Sequence, residues 1–193
     1  MVRILAMAGS ARRESFNKRL AQLAAVRART AGADVTVIDL ADYRLPLFDQ
    51  DVEADEPPQN ADMLRNLMLE HDGLLLACPE YNSSITPLLK NVIDWASRPV
   101  EGVAPLAAFK GKTAALVSAS PGALGGLRGL GTVCSILSSI GVHVLPTQVA
   151  VGSAHSAFAD GDRALNDPRL DKNLTRAMNE MVEMTAKLAT RRE

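Results

Sequence analysis

Gly9-Ser10-Ala11-Arg12-Arg13-Glu14-Ser15-Phe16-Asn17 gathers two hydroxyls, an amide and two guanidinium groups between an apolar run and a segment of helical spacing. Such a set suits an anion. A turn that leaves a strand and opens a helix aims unpaired backbone N–H groups at one point, where the helix macrodipole adds partial positive charge. Gly9 permits an unusual backbone angle, Ser10 and Ser15 offer hydroxyls, Asn17 offers an amide, and Arg12 or Arg13 brings a planar cation to phosphate oxygens. The stretch matches neither G-x-G-x-x-G nor G-x-x-x-x-G-K-[ST], which takes weight from the dinucleotide fingerprint and the P-loop. The competing reading is an ordinary strand-to-helix turn with Ser15 as N-cap and two solvated arginines.

Two later stretches could meet it. Pro79-Glu80-Tyr81-Asn82-Ser83-Ser84 supplies an aromatic ring and an amide-rich backbone. Tyr81 is either a stacking platform or a tyrosine packed at a strand end. Glu80, without a paired carboxylate, reads as a loop residue giving mostly backbone contacts. Ser118-Ala119-Ser120-Pro121-Gly122, continuing to Gly125-Gly126, supplies a glycine-rich wall that a flat ligand can approach, although a flexible connection also predicts glycine. Cys78 reads as a buried strand-end thiol, since no basic neighbour flanks it to activate it, with redox involvement as the alternative. His71, His143 and His155 lack metal-ligand spacing, so no metal is expected.

Positioning these stretches takes a layered scaffold, and the apolar pattern supplies one. Residues 4–8 form a short apolar strand before Gly9, and Phe16, Leu20, Leu23 and Ala24 recur at helical spacing over about residues 15–31. Gly32 ends that helix, and Val35, Val37 and Ile38 make a second strand. Further alternation follows: a helix over 61–70, a strand over 73–78, and a helix from Pro87 with Thr86 as N-cap and a Lys90–Asp94 pair. A strand over 112–118, a helix stopped by Gly141, and a fifth strand starting at 142–145 complete the series. Residues 152–167 read as loop. The last helix carries Leu170, Leu174, Ala177, Met181, Met184 and Leu188 as core. Trp95 reads as a core or subunit-interface anchor.

Five strands alternating with five helices predict one α/β domain over 1–193, with a doubly wound parallel sheet in the order 2-1-3-4-5 and helices on both faces. The three stretches follow strands one, three and four, which are adjacent in that order. Their loops converge on a slot for a phosphate joined to a flat heteroaromatic. Residues 43–60, rich in Pro, Asp and Glu, read as a long acidic loop. The chain carries 21 basic and 22 acidic residues, so no broad field draws nucleic acid or an anionic membrane. Its two cysteines read as free thiols, and the apolar start is too short for a signal peptide or membrane span, which predicts a cytoplasmic protein.

Gly9-Ser10-x-Arg12-x-x-Ser15-x-Asn17, then Pro79-Glu80-Tyr81-Asn82 followed by Leu89-Lys90-Asn91-x-Ile93-Asp94-Trp95, resembles the NADPH-dependent FMN reductase family of flavodoxin-like quinone, azo-dye and chromate reductases. The resemblance implies that Ser10, Arg12, Ser15, Phe16 and Asn17 surround the FMN phosphate. It implies that Pro79, Glu80, Tyr81 and Asn82 lie along the isoalloxazine, approached also by Ser118, Ser120 and Gly122. It further implies NADPH or NADH as donor, quinones, azo compounds or free flavin as acceptors, and dimers or tetramers with the Asn91–Trp95 helix near the subunit contact. No catalytic side chain is implied, because the flavin N5 carries the hydride. A flavodoxin-type electron carrier and a non-enzymatic nucleotide-responsive protein are the rival readings.

Overall fold

The computed structural model describes residues 1–189. Side chains of β1 (Arg3–Ala8) divide by parity: Ile4, Ala6 and Ala8 enter one apolar cluster, Leu5 and Met7 another. The same division holds for β3 (Gly73–Ala77) and β6 (Thr113–Ala119). Strands buried on both faces read as continuous apolar runs, and they require a helical layer on each side. One layer is α1 (Phe16–Thr30) and α6 (Pro168–Ala189). The other is α3 (Gln59–Glu70), α4 (Pro87–Ala96) and α5 (Leu127–Ser139).

With β2 (Asp34–Ile38), β7 (His143–Val144) and β8 (Val149–Val151), the main sheet has six parallel strands in the order β2-β1-β3-β6-β7, with β8 also on β6. The expected order holds, but the expected fifth strand is two. β7 pairs with Thr113 and Ala114, and β8 with residues 117–119, so both share one edge of β6. Pro146 lies between them, just past the last ladder bond, Leu145 N–H to Ala114 O at 2.9 Å, and its fixed φ marks the place where the edge strand leaves β6.

Local signals set several boundaries. Gly32, at φ +98°, follows α1 in the left-handed region that favours glycine. Pro87 opens α4, and the Thr86 hydroxyl accepts from the Leu89 N–H at 3.3 Å. Lys90 and Asp94 pair at 2.7 Å on the exposed side of α4, a contact of a few tenths of a kcal/mol, about 0.3.

Three expectations need correction. Residues 43–60 are not all loop, because α2 (Gln50–Asp55) forms within them. Asp49 caps it through Asp51 N–H at 2.8 Å, and Asp51 and Glu53 stand in its first turn, where the macrodipole favours carboxylates. Residues 80–85 form a hairpin, β4 (Glu80–Tyr81) against β5 (Ser84–Ile85). Its two-residue turn places Asn82 and Ser83 at φ +51° and +64°. In α6 the buried stripe is Leu174, Ala177, Met178 and Met181, whereas Met184 is exposed.

Residues 46–48 strap across α4. Asn91 Nδ2 donates to Pro46 O at 2.8 Å, Asn91 Oδ1 accepts from Phe48 N–H at 2.8 Å, and Trp95 Nε1 donates to Pro46 O at 2.9 Å. Phe48 stands edge-on to Trp95 with centroids 5.0 Å apart. Both side chains expected near a subunit contact are thus engaged within their own chain.

Candidate functional site

β1, β3 and β6 are consecutive neighbours in register, so the loops leaving their carboxyl ends meet. They enclose a cleft of about 130 Å³. The first loop lends it Ser10, Arg12, Ser15, Phe16 and Asn17, the second Pro79, Glu80 and Tyr81, and the third Ala119, Ser120 and Pro121. Asn82, Ser118 and Gly122 lie outside this lining. Asn82 is in the hairpin turn, and Gly122 is exposed beyond Ser120, whose hydroxyl accepts from Gly122 N–H at 3.3 Å. Ser118 is fully buried, its hydroxyl donating to Gly125 O at 2.6 Å.

Gly9 is required for a different reason from the expected one. Its φ is not left-handed, but an added Cβ would lie 2.9 Å from Leu89 Cβ on α4. Close approach, rather than backbone freedom, excludes a side chain. The Gly9 N–H donates to Ala77 O at 2.9 Å, and its carbonyl accepts from the Thr86 hydroxyl at 2.9 Å. Thr86 therefore caps α4 and holds the first loop at once, a contact across 77 positions that no local signal carries.

Ser15 occupies the N-cap position of α1 in extended conformation and is buried, yet its side chain makes no cap bond. α1 opens on Phe16-Asn17-Lys18 without a carboxylate. The first-turn N–H groups of a helix have no intrahelical acceptor, so this end suits an anion. Arg12 holds its guanidinium carbon 5.5 Å from the Phe16 ring centroid. Among the described residues Arg12 forms no ion pair, whereas Arg19 is taken by Asp162 and Arg27 by Asp171. An uncapped helix start, two serines and an uncommitted guanidinium fit a phosphate.

The opposite end is aromatic and open. Tyr81 is 58% exposed, which overturns the packed-tyrosine alternative and leaves its ring at the cleft. Glu80 also corrects its sequence reading. Its carboxylate accepts from Gly129 N–H at 2.9 Å, in the first turn of α5. The α5 N-cap is Gly126, at φ +89° and without a side chain, so Glu80 caps the helix from the hairpin. Glycines of the third loop likewise serve the fold: a Cβ on Gly125 would meet the Val151 backbone at 2.6 Å.

A larger cleft of about 260 Å³ opens on the other side of β1, beside Lys18, Gln22, Asp39 and Asp42. Its cation is already paired, Lys18 with Asp39 at 2.6 Å, and it presents no aromatic ring. The smaller cleft has the better chemistry. His71 is buried with its ring nitrogens against Leu67 O and the Thr36 hydroxyl, and among the described residues no group of three or more His, Cys, Asp or Glu is placed to hold a metal.

Cys78 lies directly under the second loop, fully buried, and burial pushes its thiol far above the ordinary range. A disulfide-exchange reagent at pH 8 is therefore expected to titrate the half-buried Cys134 in the native chain and Cys78 only after unfolding. Prompt reaction of both thiols without denaturant would contradict this.

A parallel sheet in this order, with a cleft at the carboxyl ends of its central strands, defines the flavodoxin-like class of cofactor-binding α/β proteins. The chain belongs to the NADPH-dependent FMN reductase family, whose sequence pattern matches residues 2–156. It is similar to a quinone reductase of Pseudomonas putida, 34% identical over 165 residues, covering 85% of this chain and 84% of that protein. It is also similar to an NAD(P)H-dependent FMN reductase of Pseudomonas aeruginosa, 35% identical over 167 residues and 86% of each chain. Among solved structures, the flavoenzyme NAD(P)H:(acceptor) oxidoreductase FerB from Paracoccus denitrificans superposes with a TM-score of 0.82 at 28% identity, over 97% of this chain and 98% of that one. Membership makes the chain an oxidoreductase that works with FMN and NAD(P)H.

Proposed function

We propose that the chain is one domain binding FMN in the cleft between the loops after β1, β3 and β6, and passing electrons from NADPH or NADH to quinones, azo compounds or free flavin. One observation carries this reading: the uncapped start of α1, with uncommitted Arg12, lines the same cleft as the exposed ring of Tyr81. A cation and N–H groups at one end and an open aromatic at the other match a phosphate tethered to a flat ring. Ser10, Arg12 and Ser15 hold the phosphate by charge and hydrogen bonds, and Phe16 supports the Arg12 guanidinium from below. Pro79 to Tyr81 and Ala119 to Pro121 bound the ring and narrow the access of water to it. Bound FMN supplies the hydride and electron chemistry, so no side chain acts as nucleophile or general base.

Two further parts of the proposal concern assembly and location. Tyr81, Leu124 and Leu127 are exposed apolar groups on the hairpin and at the start of α5, and they support a dimer or tetramer covering that end. Two free thiols support a cytoplasmic site. Among the described residues no helix is long and apolar enough to cross a membrane.

The purified chain is expected to carry or take up FMN, and NADPH added without oxygen is expected to bleach its visible flavin band. Flavin that binds but stays oxidised would favour an electron carrier. A colourless chain that takes up no FMN would sink the proposal.

A further inference from the structure

Asn17 belongs to the first loop, where the motif sets it beside the phosphate, but its amide is engaged elsewhere. Nδ2 donates to the carbonyl of Ala119 at 2.8 Å, and Oδ1 accepts from the Ala119 N–H at 3.0 Å. This is the exchange of bonds made by two opposed strand residues, made here by a side chain. Asn17 and Ala119 are each only 4% exposed, so water competes little for either bond.

Strand order explains the need. β1 and β6 are not neighbours, because β3 lies between them. β3 follows β6 as far as the bond from Cys78 N–H to Val117 O at 2.8 Å, then turns away through Pro79, which has no N–H. Two residues further along β6, Ala119 pairs with Asn17 instead. Buried backbone groups left unpaired there would carry the full cost of their lost hydration. Ala119 leads into Ser120 and Pro121, the residues by which the third loop lines the cleft.

We propose that Asn17 is a positioning residue: its amide locks the third loop to the first turn of α1, and so sets the separation between the phosphate grip and the wall facing the flavin ring. The proposal rests on the FMN reading of the cleft. A phosphate contact and a ring-wall brace differ in what they do to a flavin without a phosphate.

The test titrates the full chain and its Asn17→Ala variant with FMN and with riboflavin, following flavin fluorescence, with a thermal unfolding scan of each. Asn17→Ala is expected to weaken both flavins by a similar factor, roughly 30-fold, as the loss of two hydrogen bonds of about 1 kcal/mol each implies. Loss of FMN affinity with riboflavin unchanged would make Asn17 a phosphate ligand and overturn the proposal. A lowered unfolding midpoint with both affinities unchanged would make it merely structural and overturn it too. A wild-type chain that takes up FMN but no riboflavin shows that the third loop contributes nothing to the ring, and this also overturns the proposal. A wild-type chain that takes up neither defeats the FMN reading itself, which is a distinguishable failure. If Asn17→Ala does not fold, Asn17→Ser, whose hydroxyl is too short to reach both Ala119 groups, is read against the same outcomes.

Discussion

Arg12→Ala is expected to weaken FMN binding roughly 10- to 100-fold, the size of one lost charge-assisted contact to phosphate, while Arg13→Ala changes it less than about twofold. The two arginines are adjacent, but only Arg12 lines the cleft and stacks on Phe16. No carboxylate among the described residues neutralises Arg12, so its charge is available to an anion. Arg19, in the first turns of α1, is excluded by its bonds to Asp162 at 2.9 and 3.0 Å. Riboflavin supplies the control, since its affinity should hardly depend on Arg12. Equal and small effects of Arg12→Ala and Arg13→Ala, measured by fluorescence titration, would return the first loop to an ordinary turn. Arg12→Lys should recover only part of the affinity, because an ammonium cannot form the planar two-pronged contact.

Trp95→Ala is expected to destabilise the chain by about 3–5 kcal/mol, lowering the unfolding midpoint by roughly 10 °C for a chain of this size. Trp95 is 1% exposed, packs edge-on against Phe48, and donates its indole N–H to Pro46 O. Truncation opens a cavity under the strap and leaves that carbonyl with only its bond from Asn91. Trp95→Phe should cost less, about 1–2 kcal/mol, because it restores part of the volume but not the donor. Chemical denaturation with an unchanged slope would confirm a native-state loss. An unfolding midpoint that does not move, together with a smaller oligomer in solution, would instead place Trp95 between subunits.

Much of the scaffold is legible in local chemistry. Gly32 after an apolar helical stripe, Thr86-Pro87 at a helix start, and the two-sided apolar runs of β1, β3 and β6 are decided by residues within a few positions of one another. Where the local reading fails, a distant or opposing signal wins. Residues 50–55 look irregular by composition, yet a cap at Asp49 and carboxylates beside the positive end of the macrodipole fold them into a short helix. Asn82-Ser83 is a weak turn signal, and its left-handed pair reads as plain loop until the hairpin strands are seen to pair. The break at Pro146 is legible in principle, since proline inside an apolar run marks an edge strand or a place where the strand bends away.

The site divides along the same line. Local sequence is enough to show that a hydroxyl- and arginine-rich turn opens α1, and that aromatic and glycine-rich stretches follow two later strands. It is not enough to show what each side chain does there. Asn17 pairs with Ala119 across 102 positions, Glu80 caps a helix 49 positions on, and Gly9 is fixed by contact with Leu89. Helix periods, caps and turns follow from interactions between near neighbours, so a short window of sequence contains them. Bonds between loops depend on which strands lie side by side, in what register, and where one strand leaves the sheet; only the assembled sheet holds that information, and it gives the first loop its partners.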